Sequence, residues 1–108
     1  MAPGDITIGR RVDSFSDIDR PGDYYGPSRG DGEYEHVFFL KPNARDADAP
    51  AIARSVQHVR IPPHTYRECP DGSLEIRQSI GDTRAEQPDS GSDGWHGFLD
   101  EGHQWRQV

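Results

Sequence analysis

The chain has 108 residues, of which 31% are apolar, with 12 glycines and 9 prolines. This is the composition of one small domain with a thin core, rich in turns rather than long helices. The formal charge of −7, from 19 acidic and 12 basic residues, is spread over both halves, favours solubility and speaks against direct binding to a phosphate backbone, which needs a basic footprint.

Cys69 is the only cysteine, so no intrachain disulfide forms and a reducing compartment is expected. The N-terminus carries no apolar run of the signal-peptide type. The longest fully apolar run, Val37 to Leu40, is far too short to span a bilayer.

In chain order, residues 1–34 are expected to form a loosely structured arm. Asp5 to Ile8 alternates in polarity and could supply a short edge strand. Val12, Phe15 and Ile18 recur every third residue, as in one helical turn or an extended segment laid on the core. Asp19-Arg-Pro-Gly-Asp23 is a turn signal, because proline pre-sets one dihedral and glycine accepts positive φ. Tyr24 and Tyr25 open another strand, and Pro27 to Glu33 reads as a glycine-rich loop. Glu35 to Leu40 is the strongest strand signal of the first half. Its unbroken apolar run suggests a central strand buried on both faces. One short helix is expected near residues 46–54, with Asp46 or Asp48 as cap and Pro50 in the first turn. Ser55 to Ile61 fits a strand, and Pro62-Pro63 an extended corner.

From His64 two β-hairpins follow. In the first, Pro70-Asp71-Gly72 makes the turn, and Leu74, Ile76 and Ile80 share one face. Residues 81–94 are polar and read as an exposed loop. The second hairpin runs from Trp95 to Leu99, turns at Asp100-Glu-Gly102, and returns through His103 to Val108. The expected fold is mainly β: residues 35–108 form a small antiparallel meander rolled into a compact sheet or barrel.

Two sets of residues could carry function. Tyr66, Trp95, His96 and Trp105 are the candidate binding surface, since amphipathic rings are enriched at interfaces, although the same indoles suit a core. His58, His64 and His96 are candidate zinc ligands, because imidazole suits that ion and strands bring distant positions together. Their spacing fits no standard zinc finger, and no Cys-x-x-Cys pair accompanies them. Cys69 could act as a nucleophile only with an activating neighbour, and its place before a turn suggests exposure. Glu68 is the candidate general base of a hydrolytic site. Ser79 and Ser90 lack a nucleophile-elbow context, and Gly26 to Gly32 lacks the lysine and helix of a phosphate loop.

Four segments together carry a resemblance. They are Val37 to Asn43, His58 with Pro62-Pro63-His64, Asp71-Gly-Ser-Leu-Glu-Ile-Arg-Gln-Ser-Ile80, and Gly94-Trp-His-Gly-Phe-Leu99 with Gly102 and Trp105. Over residues 35–108 the chain resembles a family of short bacterial and phage or prophage proteins. Some of these have a cysteine-rich segment followed by a histidine, which suits zinc. This chain keeps His96 at the matching position but has Cys69 alone. The resemblance implies a phage- or prophage-associated accessory role, in the cytoplasm of a bacterial cell or on a virion, and transfers no activity.

Three functions are therefore expected in order. The first is a binding module for a partner protein, with no resident cofactor. The second is a zinc-dependent hydrolase built on the histidines. The third is an acidic mimic of DNA that occupies a basic host protein.

Overall fold

A computed structural model describes residues 3–29, 32, 34–42, 56–81 and 95–108. Two strands open the chain, β1 (Ile6–Ile8) and β2 (Arg10–Arg11). Gly9 separates them, and there the backbone passes from one sheet to the other. A Cβ at Gly9 would collide with the carbonyl oxygen of Gly22 and come within 2.8 Å of Trp105 Nε1, so only glycine fits. A 3-10 turn at Phe15–Asp17 follows, then β3 (Asp23–Arg29) and β4 (Glu35–Leu40). The second half supplies β5 (Val56–Ile61), β6 (Thr65–Glu68), β7 (Leu74–Gly81), β8 (His96–Asp100) and β9 (Gln104–Gln107).

The strands form a five-stranded sheet, β1-β9-β8-β7-β6, and a four-stranded sheet, β2-β3-β4-β5. All pairings are antiparallel except that of β2 with β3. The domain is thus mainly β, with the expected meander divided between two sheets. Pro62-Pro63 lies in the turn that carries the chain from β5 in one sheet to β6 in the other.

Alternation along the strands sends one set of side chains between the sheets. Tyr24, Val37, Phe39 and Val59 come from the four-stranded sheet. Leu74, Ile76, Ile80, Leu99 and Trp105 meet them from the other, with Trp95 just ahead of β8. Aromatic contacts dominate the centre. Phe39 stacks on Trp105 at 4.8 Å between centroids, and Trp95 and Tyr24 meet the same indole edge-on at 5.5 and 5.9 Å. The Trp105 indole N–H donates to the Gly22 carbonyl at 2.8 Å, so its single polar atom is satisfied. A core poor in aliphatic residues is filled by large rings instead.

Several expectations change. The N-terminal residues contribute three strands and the core ring Tyr24 rather than a loose arm. Pro27 and Ser28 lie within β3, which continues to Arg29. Cys69 is buried, because the turn folds its side chain inward. β4 is central but has two unlike faces: Val37 and Phe39 are buried, whereas His36 and Phe38 on the other face are only half-buried. The helix near 46–54 and nearly all of the 81–94 loop lie outside the described residues.

Two irregularities position polar groups. Tyr25 pairs with Phe38 but Ser28 with His36, so β3 carries one extra residue, a bulge at Gly26-Pro27. It frees the Gly26 carbonyl for Arg11. Between Ile76 and Ile80, β7 carries two residues more than β8, which returns Ile80 to the core face and leaves Gln78 exposed.

Candidate recognition face

The outer surface of the four-stranded sheet is built from residues that the alternation of β4 and β5 turns away from the core. His36 and Phe38 come from β4, and His58 and Arg60 from β5. Phe38 lies directly opposite His58, and His36 opposite Arg60. The rings form one cluster: His36 to His58 is 5.4 Å between centroids, His36 to Phe38 6.1 Å, and Phe38 to His58 6.2 Å. Phe15, on the 3-10 turn, meets Phe38 edge-on at 5.3 Å yet is itself 48% exposed. The Arg60 guanidinium sits 4.6 Å from the centre of the exposed Tyr34 ring.

The outer face of the five-stranded sheet is different in kind. Arg67 bridges Glu75 and Glu101, Arg77 bridges Glu75 and Asp100, and Arg106 binds Asp100 at 2.8 Å. Asp100 raises the affinity of the Arg106 guanidinium for its proton, chiefly by hydrogen bonding. Phe98 lies beneath two of these guanidinium groups, Arg106 at 4.7 Å and Arg77 at 5.9 Å. Apart from Ile6 and Ile8 on the β1 edge, exposed by 52% and 66%, this face is a self-satisfied ladder of charge.

A cleft of about 540 Å³ opens where the two sheets meet, lined by Arg11, Asp13, Tyr25, Gly26, Gly72 and His103 among others. Arg11 holds both Glu68 oxygens, at 2.7 and 2.9 Å, and the carbonyls of Gly72 and Gly26 at 3.1 and 2.8 Å. Its terminal N–H groups are thereby used, and the hydrogen bond holds the Glu68 carboxyl below the usual carboxylate range. Behind the cleft Tyr24 Oη lies 2.6 Å from His103 Nδ1 and accepts the Leu74 N–H at 3.2 Å. Burial pushes the Tyr24 phenol up to about 12, so it keeps its proton beside the imidazole. His103 has φ of 59°, a left-handed conformation fixed by this bond and by the Gly9 N–H, which donates to the His103 carbonyl at 2.7 Å. Asp71, at the β6–β7 turn, accepts from the Ser73 hydroxyl and N–H, which hold its carboxyl low. Arg11, Glu68 and the Gly26 and Gly72 carbonyls form a structural clasp at the cleft, and no serine, threonine, cysteine or lysine lines it among the described residues.

The residues singled out from sequence are scattered. Trp95 and Trp105 are 2% and 0% exposed and belong to the core, so neither indole offers a surface. Tyr66 is exposed on the edge strand β6, and His96 is exposed on β8 opposite Gly81. His58, His64 and His96 do not form one site. His58 stands on the outside of the four-stranded sheet, His96 belongs to the other sheet, and His64 Nε2 lies 3.2 Å from the Ser79 carbonyl. No group of three or more His, Cys, Asp or Glu side chains suited to a metal occurs among the described residues. Glu68 is tied to Arg11 and so is not poised as a base.

Phe38 was hidden inside the apolar run, and His36 stands directly before it. The period of two in His36-Val37-Phe38-Phe39 is the signal that separates them from the core pair. Comparison with family models, curated proteins and solved structures found no match to the chain. No helix among the described residues is long and apolar enough to cross a membrane.

Proposed function

We propose that the chain is a binding module for a partner protein, and that the Phe15/His36/Phe38/His58 face is its recognition surface. One contrast carries this reading. The ladder face has satisfied its own charges, whereas the opposite face leaves clustered rings in water. Exposed phenylalanine and histidine rings contribute little to an isolated chain and supply binding energy when a partner desolvates them. Arg60 adds a positive charge beside them. An accessory role in a bacterial cell or virion, expected from the sequence pattern of residues 35–108, is part of the same proposal.

The test uses partners recovered from host extract on the immobilised chain, then purified and titrated. Phe38→Ser and Phe15→Ser should each weaken binding by tenfold or more, and Arg77→Ser on the ladder face should not. Equal losses from both faces, or from Arg77→Ser alone, would sink the assignment of the surface.

A further inference from the structure

We infer that His36 and His58 form a two-imidazole chelating site for a borderline divalent ion of the zinc, nickel and copper group. The residues lie diagonally across neighbouring antiparallel strands, His36 beside the Phe38–His58 pair. Their ring centroids are 5.4 Å apart with planes at 67°. A metal–nitrogen bond of about 2.0–2.1 Å puts the ion roughly 3.2 Å from each ring centre, so two imidazoles sharing an ion at a tetrahedral angle have centres about 5.2 Å apart. The observed centroid separation of 5.4 Å is close to that value.

Three further features agree. Among the described residues neither ring makes a hydrogen bond or ion pair, unlike those of His64 and His103. Both residues sit on strands of one sheet, and β4 is internal to it, which fixes the backbone separation of the pair. The nearest cation by register, Arg60, has its guanidinium held on Tyr34. Two imidazoles leave the remaining coordination positions to water or to a donor brought by a partner. The ligand set is nitrogen only, so it selects borderline ions over Ca²⁺ and Mg²⁺, which require oxygen donors.

The site lies on the recognition face proposed above, but its test needs no partner. Untagged full chain would be titrated with Ni²⁺ and with Zn²⁺ by calorimetry, with imidazole nitrogen shifts followed by NMR. One ion per chain is expected, with the His36 and His58 resonances moving together. His36→Asn and His58→Asn should each lower affinity by at least about tenfold, since the second ligand of a chelate binds at high effective concentration. His96→Asn should change nothing, and Ca²⁺ and Mg²⁺ should not bind. No saturable binding, or affinity unchanged in either variant, overturns the inference. Partner capture repeated in chelator reads the recognition face separately, so the two can fail independently.

Discussion

Tyr24 shows how one side chain can hold distant segments. Its ring is buried against Trp105, and its hydroxyl joins β3 to the His103 turn and to the start of β7. Tyr24→Phe keeps the ring but strands the buried Leu74 N–H, and should cost about 1–3 kcal/mol of stability in urea unfolding. The same hydroxyl makes stability depend on alkaline pH. Its folded pKa of about 12 lies above the ordinary 10. The unfolded chain therefore loses the phenol proton first. The contribution is complete below pH 10 and is lost as pH rises from 10 towards 12, an effect of about 2–3 kcal/mol. Urea midpoints measured from pH 9 to 11.5 should fall in the wild type and fall much less in Tyr24→Phe. The sequence gives no sign of this role, because the bond joins residues 79 positions apart. A tyrosine next to another tyrosine reads only as the start of a strand.

At the scale of elements, the two C-terminal hairpins and the first edge strand were legible from local signals. The β6–β7 and β8–β9 hairpins follow from turn chemistry and, in β7, from the alternation of Leu74 and Ile76 with polar neighbours. Edge strand β1 followed from the alternation in Asp5 to Ile8. What stayed hidden depended on non-local pairing. The two-residue β2 and the bulge at Gly26-Pro27 exist because of their partners. The two faces of β4 were obscured since Phe38, covered in part by Phe15, looks as apolar as Phe39. Close backbone approach is equally invisible. Gly97 on β8 has no room for a Cβ, which would collide with the Arg106 carbonyl and come within 2.7 Å of Trp95. Gly97→Ala and Gly9→Ala must therefore displace strands. Each should destabilise by about 3 kcal/mol or more, or prevent folding, as seen in thermal unfolding and in the dispersion of amide NMR signals. Gly72→Ala tests the other use of glycine. No atom lies within 4 Å of a Cβ there, but φ is 87°, so its cost should be about 1 kcal/mol from backbone strain alone.

The whole molecule is two sheets joined by a ring-filled centre and, at the cleft end, by Arg11. Arg11 belongs to β2 of one sheet and Glu68 to β6 of the other, so their double hydrogen bond spans the gap. Gly26 and Gly72 carbonyls on both sides complete the grip. The pair is partly solvated, with Glu68 56% exposed, so its direct coupling should be small, about 0.5–1 kcal/mol. Arg11→Met should cost more, about 1–2 kcal/mol, because it also removes the donors to two carbonyls. A double-mutant cycle of Arg11→Met with Glu68→Gln separates the two contributions. Acid provides an independent check. Arg11 holds the Glu68 carboxyl below its ordinary value, so the unfolded chain takes up this proton first as pH falls. The stabilisation is present above the ordinary carboxylate range and is lost as pH drops through the folded value. Asp71, held low by Ser73, adds to the same trend. Stability should thus decline below about pH 4.5 in the wild type. In Glu68→Gln the decline should be shallower while Trp95 and Trp105 keep their buried fluorescence. A slope unchanged by Glu68→Gln would mean that the clasp contributes nothing, and that the aromatic centre alone holds the sheets together.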